Sequence, residues 1–147
     1  MAALTVVAIR QRIATALDAL SGWSESRFAP TRFGRDAAQL VHRSFSVEPS
    51  TPASPLAADR RQRRSRGVEL VSPIVVRYAH RLRADAQVAD YDAALADEAT
   101  AIKTVLGVSR ADLHLILDSV STREVSADGA WFLGSLRFNA IHTLALE

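Results

Sequence analysis

The stretch from Gly67 to Arg83 constrains the fold most, because its side chains alternate between two sets along its whole length. A period of two is typical of a β-strand, whose successive side chains point to opposite faces of a sheet. One face carries Val68, Leu70, Ile74, Val76 and Tyr78. The other face carries Val71, Pro73, Val75, Arg77, Arg81 and Arg83. Since Pro73 has no N–H to donate, we expect an edge position or a bulge there.

Shorter patterns place the remaining elements around this strand. Apolar residues at intervals of three and four predict two helices, the first with Thr5 as N-cap and the second followed by Gly107. Alternation predicts three more strands, two of them joined by the turn-forming pair Asp128-Gly129. The predicted helices are Leu4–Leu20 and Asp90–Leu106, and the predicted strands are Gln39–Glu48, Leu113–Val125 and Trp131–Leu146.

This order of elements predicts one α+β domain over residues 1–147. We expect a mainly antiparallel four-stranded sheet with both helices packed on one face. The strands Gln39–Glu48 and Gly67–Arg83 are expected to form a long hairpin that projects from the sheet. Residues 48–66, rich in proline and then arginine, are expected to form a flexible arm of this hairpin.

Five arginines lie at the end of that arm: Arg60, Arg61, Arg63, Arg64 and Arg66. Guanidinium groups are not buried without partners, so this run is either solvated or binds an anionic group. The formal net charge of the chain is only +2, which makes the basic character local to this run.

Several classes of function have no support in the sequence. The chain contains no cysteine, which excludes disulfides and thiolate chemistry, and no apolar run has the length or composition of a membrane span. No phosphate-binding glycine loop or nucleophile motif is present, so we expect no enzymatic activity and no cofactor. The four histidines lack the spacing of metal ligands, and we expect hydrogen-bonded core positions for His80 and His142.

The charge pattern favours an assembly protein that binds copies of itself. The arginine run is one candidate interface. We expect the carboxylates of the second helix, Asp90, Asp92, Asp97 and Glu98, to form a solvated acidic face, and Asp90, Asp92 and Asp97 make this helix a candidate complementary surface on a neighbouring copy. Such a head-to-tail contact can close into a ring. Val71, Val75, Arg77, Arg81 and Arg83, on the outward face of the long strand, are further candidate interface residues.

The order and local character of these segments resemble the tail-terminator (tail-completion) proteins of long-tailed double-stranded DNA phages. The resemblance lies in the N-terminal helix, the hairpin interrupted by an arm, the segment Val75-Val-Arg-Tyr-Ala-His-Arg-Leu-Arg83, and Asp90-Tyr-Asp-Ala-Ala-Leu95 at the start of the second helix. It continues through the hairpin Arg123 to His142, with Trp131 after its turn.

The resemblance implies a structural virion protein that assembles in the host cytoplasm. Its expected partners are further copies of itself in a hexameric ring, the tail tube protein and the head-side connector or stopper protein. DNA passing through the ring is a further possible contact, whereas no membrane contact and no catalytic residue are implied. Two alternatives remain open: another neck, stopper or tube-like ring component, or a small nucleic-acid-binding protein that uses the basic arm.

Overall fold

The structure, a computed structural model, describes residues 4–50, 52–55 and 67–145. Within these residues, two helices that contact each other pack on one face of a mixed, open β-sheet. The elements in chain order are α1 (Val6–Asp18), β1 (Ser24–Glu25), β2 (Ser44–Pro49), β3 (Ser54–Pro55), β4 (Gly67–Arg81), α2 (Gln87–Leu106), β5 (Leu113–Val125) and β6 (Trp131–Ala145).

The strands lie in the order β1-β2-β4-β6-β5, and β3 pairs with β4 beside β2. The predicted α+β class and the four longer strands are confirmed. The predicted count of four strands is wrong, because β1 and β3 also join the sheet and β1 pairs with β2 in parallel. Strands of two residues are too short to produce an alternating pattern, which explains why the sequence did not predict them.

The longest pairing joins β4 to β6, and it runs without a register shift from Gly67 opposite Ala145 to Arg81 opposite Trp131. The expected hairpin partner, β2, pairs antiparallel with β4 only from Phe45 opposite Tyr78 to Pro49 opposite Ile74. The first half of β4 is therefore held by β6 and does not project as one arm of a β2–β4 hairpin. Both long strands lie in the interior of the sheet.

Pro73 occupies a central strand, contrary to the expected edge position or bulge. Its carbonyl accepts a hydrogen bond from Ser50 N on the β2 side of β4. The N–H and C=O of one strand residue point to the same side, so the missing donor of Pro73 also faces that side. There β2 has ended at Pro49 and β3 begins only at Ser54, so the missing donor lies at the gap between these two strands.

The helices bury one side against the even-numbered face of β4 and β6. Thr5 caps α1 as predicted, since its hydroxyl accepts a hydrogen bond from Ala8 N, and Ile9 and Ile13 of α1 are fully buried. Tyr78 of β4 is fully buried and donates a hydrogen bond from its hydroxyl to the Ala94 carbonyl of α2. This hydrogen bond ties α2 to β4 and so helps to set the distance between the helix and the sheet.

Two irregularities in β5 change which residues of that strand face the helices. Register shifts lie between Leu117 and Ser119 and between Val120 and Thr122. Each one adds a residue to β5 and therefore reverses the phase of its alternation. The two reversals place Val120, and then Arg123 opposite Gly134, on the helix-facing side.

Candidate interaction surfaces

The predicted arginine run, Arg60 to Arg66, lies outside the described residues, as does most of the predicted arm. Only its beginning is described: residues 48–49 belong to β2, and Ser54 and Pro55 pair with Val71 and Leu70. The role predicted for the five arginines therefore stays a prediction.

The predicted solvated acidic face of α2 is wrong for three of its carboxylates. Asp90, Asp97 and Glu98 are 7%, 5% and 7% exposed, respectively. Each of the three binds an arginine from another part of the chain. Burial is tolerated because every carboxylate is paired and hydrogen-bonded. Only Asp92 of the predicted acidic interface residues is exposed.

The first pair joins Asp90 to Arg83 just beyond the end of β4. The Arg83 guanidinium donates to both carboxylate oxygens, at 3.0 and 2.9 Å, and Arg83 N donates to Oδ2 at 2.8 Å. These bonds from Arg83 stabilise the ionised form and lower the pKa of Asp90 to about 2. Arg83 is exposed as predicted, yet it closes the loop before α2 and is not an unpaired cation.

The second pair belongs to a small buried cluster around Asp97. Its Oδ2 accepts a hydrogen bond from His80 Nδ1 at 2.6 Å and another from Arg43 Nε at 3.2 Å. The His42 ring lies edge-on to His80, with centroids 4.4 Å apart, and His42 Nδ1 accepts a bond from Arg81 N. Burial, followed by the charges of His80 and Arg43, lowers the pKa of His42 and favours its neutral form.

The cluster also explains an unusual backbone conformation at Arg43. This residue has a φ of 57°, in the left-handed region that non-glycine residues rarely adopt. This conformation interrupts the predicted strand, so β2 begins at Ser44 and not at Gln39. It also directs the guanidinium toward Asp97 on α2.

The third pair joins Glu98 of α2 to Arg123 of β5 through two hydrogen bonds of 2.8 Å. This pair raises the pKa of Arg123. Because the two phase reversals in β5 cancel, Arg123 lies on the same side of the strand as Leu113 and Leu115 and faces α2. The three pairs serve the packing of α2 on the sheet, which makes them poor candidates for contacts with another subunit.

His142 has the structural role that the sequence predicted. It is buried and donates from Nδ1 to the Leu4 carbonyl at 2.8 Å, while its Nε2 accepts from the Ser72 hydroxyl at 2.7 Å. His80 is likewise a hydrogen-bonded core residue. In the described ranges, no three histidine, aspartate or glutamate side chains form a group that could hold a metal ion.

The sheet face opposite the helices carries the predicted outward residues of β4. Arg81 is exposed as expected, whereas Arg77 is half-buried and forms an ion pair with Glu48 of β2. Val71 is half-buried. The expectation that Val75 is exposed is wrong, since it is only 3% exposed. Residues 33–35 lie beside it on this face, where Gly34 packs against Leu133 of β6.

A cavity of about 400 Å³ remains between residues 33–35 and the sheet. Val75 and Leu133 give it an apolar lining, and the Arg77, Arg35 and Arg137 side chains give it a cationic one. Thr122, Glu124 and Ser135 also line it. Neither Arg35 nor Arg137 has an ion pair or a side-chain hydrogen bond with another described residue. The sequence did not predict this site, because its arginines come from three separate segments.

Three exposed carboxylates lie in or near the two segments that meet at the start of α2. Gln87, the first residue of α2, donates from its side chain to the Gly129 carbonyl in the turn between β5 and β6. Asp128 lies in this turn, Asp85 precedes Gln87 in the chain and Asp92 follows it in α2, and all three are exposed. Asp128 Oδ1 accepts bonds from the Ser126 hydroxyl and Ala130 N, which lower the pKa of Asp128 and keep it ionised.

No family model matches the chain, and no curated protein matches it. Neither α1 nor α2, the two α-helices that the described residues form, is long and apolar enough to cross a membrane.

Proposed function

We propose that this chain is a structural protein that works by assembling into a ring, in the manner of the phage tail terminators that its sequence resembles. The observation that carries the proposal is the two-layered architecture, in which the helices cover one face of the sheet and, among the described residues, part of the other face is exposed. On that open face Ile116 is 43% exposed, and its neighbours Val71 and Ile141 are only half-buried. A partly apolar sheet face of this kind supports contact with another protein.

The free edge of the sheet supports the same proposal. β5 lies at that edge, and its outer backbone groups have no neighbouring strand among the described residues. The two irregularities interrupt this edge and so discourage uncontrolled pairing with other chains. An edge protected in this way suits a protein that binds one defined partner and then stops the polymerisation of that partner.

In the proposed mechanism, subunits bind the last ring of a tail tube and cover the surface on which the tube grows. They then present a new surface to the head-side connector. The chain's own contribution is mechanical: a rigid sheet, braced by α2 and its three buried ion pairs, holds two different surfaces in a fixed relation.

The test is to image particles from a phage that lacks this chain. The proposal predicts headless tails of uncontrolled length, and addition of the purified protein should restore tails of defined length that join heads. Joined particles of normal length in its absence would refute the proposal. A purified chain that stays monomeric on tubes and shifts DNA in a salt-dependent manner would instead support the nucleic-acid-binding alternative.

A further inference from the structure

The cavity on the helix-free face, called here the cationic cavity, has the chemistry of a docking site for carboxylates. Its volume of about 400 Å³ is within the range of sites that hold several side chains or a small ligand. Arg77 already binds Glu48, which leaves Arg35 and Arg137 as donors. Guanidinium groups bind carboxylates through two parallel hydrogen bonds, so they fix geometry as well as charge.

The acidic end, defined by Asp85, Asp92 and Asp128, carries the complementary groups on the same chain. Asp128 lies in the compact turn that projects between β5 and β6. Both of its hydrogen bonds within the turn reach Oδ1, so its second carboxylate oxygen remains for a partner. The turn is braced by Gln87 and therefore presents this carboxylate in a defined position.

We propose that the acidic end of one copy docks in the cationic cavity of the next copy, with the carboxylates of Asp128 and its neighbours on Arg35 and Arg137. The inference rests on the proposed function and specifies its subunit contact. The cavity opens on the face of the sheet opposite the helices. The acidic end lies elsewhere: it consists of residues at the start of α2, on the other face, and of the turn between β5 and β6. The contact is therefore head-to-tail, and repetition of it generates a ring.

A second copy fits the cavity better than a nucleic acid does. Glu124 lines the cavity near Thr122 and would repel an extended row of phosphates. The apolar lining formed by Val75 and Leu133 offers nothing to a phosphate backbone, whereas it suits the apolar atoms of a protein loop.

Charge reversal tests the contact. The acidic-cavity variant carries Arg35→Glu and Arg137→Glu, and the basic-end variant carries Asp85→Lys, Asp92→Lys and Asp128→Asn. The asparagine keeps the Oδ1 acceptor of the turn. Each variant alone should lose assembly, measured as mass in native mass spectrometry with and without tail tubes. An equimolar mixture should recover it, because the two variants can alternate around a ring of even number.

The matched control is Arg27→Glu, which reverses an exposed arginine in the same loop but outside the cavity. It should assemble like the unmodified chain. Assembly of either charge-reversed variant alone, or failure of the mixture, would overturn the inference, as would binding of DNA in place of a second copy. Circular dichroism and thermal melting of each variant verify that it is folded.

A covalent readout complements the mass measurement. The chain has no cysteine, so the double variant Ser135→Cys and Ala127→Cys introduces one thiol in the cavity and one beside Asp128. Oxidation should produce a series of disulfide-linked oligomers on a non-reducing gel, and the largest of them should contain as many copies as the ring. Absence of links between copies overturns the contact. Tails of normal length without the chain, despite a cross-linked ring, would refute the proposed function and leave the contact standing.

Discussion

Replacement of Gly134 by alanine should destabilise the protein because Tyr78 occupies the space that a side chain would need. A Cβ atom built on Gly134 lies 2.3 Å from Tyr78 Cε1 and 2.5 Å from Cζ. Carbon atoms in van der Waals contact are about 3.5–4.0 Å apart, so the ring must move by roughly 1 Å or more. It has little room, since Trp23 and Phe132 lie on either side with centroids 6.0 Å away.

The magnitude follows from three effects. Overpacking of a well-filled core costs about 1–3 kcal/mol. Displacement of the ring also weakens the hydrogen bond from Tyr78 to the Ala94 carbonyl, which contributes about 0.5–1.5 kcal/mol. Alanine recovers about 0.5–1 kcal/mol relative to glycine within a strand. We therefore expect Gly134→Ala to lower the free energy of unfolding by about 2–3 kcal/mol.

Urea unfolding followed by tryptophan fluorescence measures this change, and Trp23 beside Tyr78 is a suitable probe. Ser135→Ala, on the next residue of β6 and the opposite face, is the matched control and should change the stability by less than about 0.5 kcal/mol. In the Tyr78→Leu background the clash is absent, so Gly134→Ala should be close to neutral. Equal losses in both backgrounds would show that Tyr78 is not the cause.

Two further predictions concern the buried carboxylates. Arg83 lowers the pKa of Asp90 from 3.8 to about 2, so the folded state favours the ionised carboxylate. The stability that this carboxylate confers is therefore present above pH 3.8 and is lost as the pH falls toward 2. The stability difference between the unmodified chain and Asp90→Asn, from urea titrations between pH 2 and 6, should shrink over that window, and a constant difference would contradict the role of the charge. Asp97→Ala should cost about 2–4 kcal/mol at neutral pH, since it leaves His80 buried without its partner and frees Arg43. A loss below about 1 kcal/mol would show that the cluster adds little.

The sequence predicted those parts of the fold that depend on local periodicity. The bounds of β5 are as predicted, and α1, α2, β4 and β6 differ from their predicted bounds by only a few residues. These elements are long enough for several repeats of their period. Residues 24–36 carry no period, so the packing of residues 33–35 beside the sheet could not be predicted from the sequence.

The candidate site was harder to predict because its determinants are pairs between distant segments. Asp97 and Glu98 were predicted to be exposed, since charged residues on a helix usually are. Their partners lie far along the chain, at Arg43 and Arg123, and no pattern within α2 indicates them. The cationic cavity has the same character, because Arg35 and Arg137 become neighbours only when β6 and residues 33–35 share one face.

The orientation of the ion pairs on α2 has a consequence for how the whole molecule meets a charged surface. In the Asp90–Arg83 pair the carboxylate side chain is 10% exposed and the guanidinium 66% exposed, and in the Glu98–Arg123 pair the values are 10% and 48%. Each pair is a fixed dipole with its positive end in the solvent. A negatively charged surface that approaches the protein closely meets these positive ends first. The protein should therefore elute from a cation exchanger later than a protein that has the same net charge of +2 but evenly spread charges.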